Sequence, residues 1–261
     1  MSIPSGARGI GIRVYRPDGH RPRPVFVYLH GGGWTFGDLD MRDDTCSRIS
    51  RAADCVVVSV AYRLAPEHPY PAALDDVVAA ISWVDRHRDE IGATSAQFAV
   101  GGDSAGGNLT AAACLRLRQK GGPKVALQVL IYPALQAFFD TLSYHENGEG
   151  YLLTRADTIW FWGNYLGRDD DANDPFACPG VAQDLRELPP ALIITAGFDP
   201  LRDEGEVFGY KLRAAGVPAV VRRFPGMIHN FIAFPIEPAA ERAIGMISAA
   251  ARRAWAKDAE G

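Results

Sequence analysis

Two kinds of apolar pattern alternate along the chain. Short runs rich in β-branched and aromatic residues predict strands over Gly11–Tyr15, Val25–Leu29, Cys55–Val60, Gln97–Val100, Leu127–Ile131, Ala191–Thr195 and Ala219–Arg223. The run Cys55–Val60 is apolar almost throughout, as expected of a strand covered on both faces. Between these runs lie longer segments with helical spacing. Pro71–Arg88 places Ala73, Leu74, Val77, Val78, Ile81 and Val84 on one stripe. Ser104–Arg118 is rich in Ala and Leu, and helices are also expected over Glu204–Ala215 and Glu237–Ala256. Such alternation implies an α/β fold, with a mostly parallel central sheet and helices on both faces. One stretch breaks the rhythm. Phe138–Pro190 has no clear βα repeat but contains Trp160, Phe161, Trp162 and Tyr165. The aromatic cluster favours a helical insertion that forms a partial lid, and the alternative is an irregular surface excursion.

Composition narrows the class. The 261 residues suit one α/β domain carrying an insertion, long enough to bury a large core without staples. Hydrophobic residues at 48 % and charged residues at 22 % are ordinary for a globular protein. The formal net charge is -4 with no dense Lys/Arg block, which argues against a nucleic-acid partner. The N-terminus has no apolar stretch of signal-peptide length, and the longest apolar runs are strand-sized, too short for a membrane span. Cys46, Cys55, Cys114 and Cys178 lie far apart with no CxxC pair, Cys55 and Cys114 in apolar patterns typical of a core. Reduced thiols and a cytoplasmic location are the expectation.

The chemistry begins between a strand and a helix, at Gly101-Gly102-Asp103-Ser104-Ala105-Gly106-Gly107. A serine pinched at such a turn needs small neighbours, which Gly102 and Gly106 supply. The turn would present the hydroxyl at the top of the sheet and aim helix N-terminal N–H groups at a developing oxyanion. The run fits neither GxxxxGK[ST] nor GxGxxG, so it is not read as a phosphate loop. Chymotrypsin-like proteases are all-β and place the base before the serine, which this pattern does not.

A serine hydroxyl needs a base to become a useful nucleophile. In a doubly wound hydrolase the order is serine, acid, histidine, and only His145 and His229 follow Ser104. His145 falls in the insertion. His229 follows the strand Ala219–Arg223 by a short loop, Phe224–Ile228, at the sheet edge where open α/β folds bind ligands. The acid should also end a strand, and Ala191–Thr195 runs into Asp199. Asp199 would fix the tautomer of His229, while its rivals Asp203 and Glu204 would cap the next helix. His20, His87 and His145 are read as structural. After the strand Val25–Leu29, the loop His30-Gly31-Gly32-Gly33-Trp34 offers bare N–H groups beside that of Ala105.

Together these motifs resemble the hormone-sensitive-lipase-like carboxylesterases of the α/β-hydrolase fold. The resemblance rests on His30–Trp34, on Gly102-Asp103-Ser104-Ala105-Gly106-Gly107-Asn108-Leu109 and on Asp199-Pro200-Leu201-Arg202-Asp203-Glu204-Gly205. Tyr62-Arg63-Leu64-Ala65-Pro66-Glu67-His68-Pro69 and Met227-Ile228-His229-Asn230-Phe231 are similar to the same family. It implies Ser104, Asp199 and His229 as the triad and Gly32, Gly33 and Ala105 as oxyanion donors. Gly31 would shape the turn, and Tyr62–Pro69 would pack behind the site. It also implies short-chain esters as substrates and no cofactor or metal. An amidase or arylformamidase on the same scaffold shares this triad; a non-catalytic receptor would lack the histidine. Family members usually carry a helical segment before the first strand that forms half of the cap. Met1–Gly9 is too short for it. The cap would then be Phe138–Pro190 alone, over a more open acyl pocket with weaker control of substrate shape. A homodimer is compatible with the pattern, which does not require one.

Overall fold

The computed structural model describes residues 1–4, 9–19, 23–93, 98–234 and 237–258. Its centre is an eight-stranded sheet: β1 (Ser2–Ile3), β2 (Ile10–Tyr15), β3 (Val25–Leu29), β4 (Val56–Ala61), β5 (Phe98–Asp103), β6 (Leu127–Ile131), β7 (Ala191–Phe198) and β8 (Ala219–Ile228). The spatial order is β1-β2-β4-β3-β5-β6-β7-β8. β2 runs antiparallel to both β1 and β4, and every other pairing is parallel. The α/β architecture is therefore the one the alternation of patterns implies. Gln97, at the edge of the expected fourth strand, lies outside the described residues, as do His20 and part of Met1–Gly9.

Strand residues face two cores in turn. Val25, Val27 and Leu29 of β3 point to the face covered by α2 (Ala72–Arg86), α3 (Ala105–Lys120) and α6 (Arg202–Ala214). Phe26 and Tyr28 point to the face covered by α1 (Asp43–Ala53) and α7 (Pro238–Asp258). With both faces dry, no polar alternation is required, which is why β3 and β4 are apolar almost throughout.

The topology locates the crevice. The chain adds β4 on one side of β3 and then crosses back to place β5 on the other. Loops leaving two parallel strands on opposite sides of such a reversal diverge and leave an opening above their C-terminal ends. The glycine-rich loop leaves β3 here, and Ser104 follows β5, whose register pairs Leu29 with Gly102. The strand ends approach so closely that a Cβ on Gly106 would lie 2.0 Å from the carbonyl oxygen of Leu29. Only glycine permits α3 to start this near the neighbouring strand.

Two features depart from the sequence expectation. Helix α1 was not anticipated: its buried positions include Cys46, Ile49 and Ala53, a narrow stripe on an otherwise polar segment. β8 continues through the stretch read as a loop, to Ile228, so His229 follows the strand directly. Pro225 is tolerated because β8 is last in the sheet, where a missing N–H need not break a ladder. Between β6 and β7, residues 138–190 form helices α4 (Leu142–Asn147) and α5 (Arg155–Tyr165) with short 3₁₀ turns, and no strand among the described residues. All four cysteines are buried and free. Among the described residues, no helix is long and apolar enough to cross a membrane.

Candidate active site

Ser104 sits between β5 and α3 with φ 57° and ψ -117°. A non-glycine residue at positive φ is strained, and it holds that conformation only because its surroundings dictate it. Here the Ser104 N–H donates to Ile131 O at 2.8 Å, and the Ser104 carbonyl accepts from Ala134 N–H at 3.3 Å. β6 and the loop after it thus pin the turn from the side.

Three of the expected residues converge. His229 Nε2 lies 3.0 Å from Ser104 Oγ. On the far side of the ring, His229 Nδ1 lies 2.8 Å from Asp199 Oδ2. The Asp199 side chain is fully buried, and its other oxygen accepts the Leu201 N–H at 2.9 Å. The rivals point elsewhere. Asp203 Oδ2 accepts the N–H of Ser143, and Glu204 Oε2 that of Gln136. Both therefore fasten the segment after β6 instead of capping α6, and neither reaches the imidazole. Burial pushes the Glu204 carboxyl well above its ordinary value, despite backbone N–H groups that oppose the shift.

Three further histidines have structural partners. His87 stacks on Trp83, and His145 meets Asp140 at the surface. His30 is buried and stacks on Tyr62, with ring centroids 4.4 Å apart. Burial pushes its imidazole below the ordinary value, so it remains neutral there. The Tyr62 hydroxyl donates to His30 O at 2.7 Å, and the Ala65 N–H donates to Trp34 O at 2.8 Å. The Tyr62–Pro69 stretch thus braces both ends of the glycine loop from behind.

Gly32 and Gly33 have φ of 108° and 55°, and with Ala105 and Ser104 they line the same cavity of about 380 Å³. Its outer wall comes from residues 138–190: Leu152, Leu153, Phe161 and Trp162. This wall is fastened to the glycine loop. Tyr165 stacks on Trp34 at 4.1 Å between centroids, and Trp162 packs on the same ring at 4.5 Å. Each such pair is worth about 0.5–1.5 kcal/mol beyond its buried area. A Cβ on Gly33 would meet the Phe161 ring at 2.2 Å. Thr154 and Asp157 start α5 with a reciprocal capping box, which occupies the one carboxylate on this wall.

Sequence reasoning missed a polar cluster under the site. Asp103 is fully buried and accepts from Tyr28 OH at 2.9 Å, Gly31 N–H at 3.2 Å and Arg42 Nη2 at 2.6 Å. Burial alone would raise its carboxyl, but the Arg42 guanidinium outweighs it and holds the group below the usual carboxylate range. The signal in the sequence was an aspartate inside an otherwise apolar β5, which demands a buried cation. Among the described residues, no His/Cys/Asp/Glu cluster is arranged to hold a metal.

Known proteins resemble this chain over most of its length. The family described as alpha/beta hydrolase fold matches residues 26–233. Carboxylic ester hydrolase LipN of Mycobacterium tuberculosis is 48% identical over 239 residues, which are 89% of this chain and 63% of that protein. The chain thus spans a little under two thirds of that relative. The esterase of the archaeon Pyrobaculum calidifontis superposes with a TM-score of 0.93 at 42% identity, covering 97% of this chain and 83% of that one. EstE1, a thermostable carboxylesterase cloned from a metagenomic library, gives 0.94 at 44% identity, over 98% and 88%.

Proposed function

We propose that this chain, which belongs to the α/β-hydrolase family and to its hormone-sensitive-lipase-like branch, is a serine carboxylesterase that hydrolyses short-chain esters through an acyl-enzyme. The observation that carries the reading is the continuous chain of hydrogen bonds from Ser104 Oγ through His229 to Asp199. Asp199 keeps the proton of the neutral imidazole on Nδ1, which leaves Nε2 free to accept the Ser104 proton. Ser104 Oγ then attacks the ester carbonyl. The tetrahedral oxyanion is met by the N–H groups of Gly32, Gly33 and Ala105. His229 returns the proton to the leaving alcohol, and water repeats the cycle to release the acid.

Residues 138–190 serve as the cap of a single α/β unit. Phe36 and Leu152 line the cavity yet remain more than half exposed, which supports an open, apolar rim. A cavity of about 380 Å³ sits at the small end of ligand sites and suits a short acyl or alcohol group. The four buried, free thiols fit a reducing compartment, and we place the protein in the cytoplasm.

The test is a panel of aryl esters of rising acyl length, with an aryl amide and an aryl formamide beside them. Activity is expected on acetate to hexanoate esters, falling by about tenfold or more for long chains, since the pocket wall at Trp162 is fixed to Trp34. Faster turnover of the amide or formamide than of any ester would replace the esterase reading with the amidase one. Gly33→Ala checks the glycine loop. Its methyl would collide with Phe161 at a φ that costs about 1 kcal/mol for alanine. A loss of about 10²-fold in kcat is expected, the scale of one displaced oxyanion donor. Unchanged kcat at an unchanged melting temperature would remove Gly33 from the account.

A further inference from the structure

We propose that Arg42 is a positioning residue for the reaction at Ser104, because one guanidinium joins the three loops that the chemistry needs in register. Nothing in the catalytic sequence requires an arginine here, yet Arg42 lines the cavity beside Ser104 and is almost fully buried. Its Nε donates to Asp103 Oδ1 at 3.1 Å and its Nη2 to Asp103 Oδ2 at 2.6 Å. Asp103 is the residue before Ser104, and the same Oδ1 receives the N–H of Gly31 at the root of the glycine loop. The Arg42 Nη2 also donates to Asn230 Oδ1 at 2.7 Å. Asn230 follows His229 and holds a left-handed φ of 68°.

The need for such a tether follows from the topology. His229 leaves β8, the last strand of the sheet, which has a neighbour on one side only. The pairing of β7 with β8 is irregular between Ala196 and Phe198, just before β8 ends. The sheet therefore fixes the height of His229 poorly on its outer side, and Arg42 supplies a lateral hold from the opposite wall. Arginine suits the task because its planar fork can engage a carboxylate and a third acceptor together, which a lysine ammonium cannot do in the same geometry. Arg42 also neutralises the carboxylate at the root of the glycine loop, so that negative charge developing on the substrate does not face an unpaired anion.

The inference rests on Ser104 as the reactive serine of the proposed function, so the test includes a readout that does not require ester turnover. The rate of Ser104 labelling by a fluorophosphonate is measured together with kcat and KM for an aryl acetate, in wild type, Asn230→Gly, Arg42→Lys and the double variant. Asn230→Gly keeps the backbone conformation and the Arg42–Asp103 pair while removing the tether. It should slow labelling and kcat by about tenfold, with KM within about twofold and an unchanged melting temperature. Arg42→Lys should slow both by about tenfold to a hundredfold, and the double variant should be no slower than Arg42→Lys, because the contact to Asn230 is already lost in that single variant. Asn230→Gly alone decides the matter if Arg42→Lys does not fold. Labelling and kcat within about twofold of wild type in Asn230→Gly, or a double variant slowed by the product of the two single effects, would overturn the proposal. A wild type that labels but cleaves no ester would remove the esterase reading alone.

Discussion

Replacing Ser104 with alanine is expected to lower ester turnover by about 10⁴–10⁶-fold while leaving the fold intact. The expectation of an intact fold is physical. Ser104 Oγ makes its bond to His229 and no cap bond to α3, so deleting it strands no backbone group. Alanine meets the positive φ at the same cost as serine, and the backbone bonds to Ile131 O and from Ala134 N–H remain. The loss is large because the covalent route disappears, leaving only positioning and oxyanion stabilisation to act on water. The check is kcat/KM for an aryl acetate, with the melting temperature measured in parallel. Turnover within about tenfold of wild type would show that another group carries the reaction.

Asp199→Asn should lower kcat by about 10⁴-fold, with little change in KM. The buried site dictates how asparagine must sit. Its oxygen has to stay on the Leu201 N–H, because turning the amide would bury two donors against each other. The amide NH₂ then faces His229 Nδ1 and forces that nitrogen to accept. The imidazole proton moves to Nε2, the nitrogen facing Ser104, and the base is lost although every atom is near its native place. Steady-state kinetics across the pH range gives the measurement. Activity should rise with pH as hydroxide takes over part of the work of the lost base. A loss smaller than about tenfold at neutral pH would show that Asp199 does not set the tautomer.

Much of the fold was legible because both faces of the sheet are covered. Strands such as Val25–Leu29 and Leu127–Ile131 then read as unbroken apolar runs, with boundaries equal to those observed. Helix α1 was not legible, since only a thin stripe of it touches the core. The end of β8 was misread because Pro225-Gly226 is turn chemistry everywhere except at a sheet edge. The convergence of Ser104, Asp199 and His229 could be expected from chain order and strand ends, which are properties of sequence and topology together. Arg42 and Asn230 could not. They lie 188 positions apart in the chain, and neither stands in a motif that names its partner. Their link exists only once β5, α1 and the end of β8 have been folded against one another. Asp103 stood in the serine motif, but neither its burial nor the cation that compensates it was read from the sequence.

The most direct test of the central claim is to catch the acyl group. Wild-type protein mixed with an activated aryl acetate and quenched in acid should carry one acetyl group, found by peptide mass analysis on Ser104. Asp199→Asn should accumulate it more slowly, and Ser104→Ala should carry none. Rapid ester cleavage with no acyl group on Ser104, or with the label on another residue, would contradict the account.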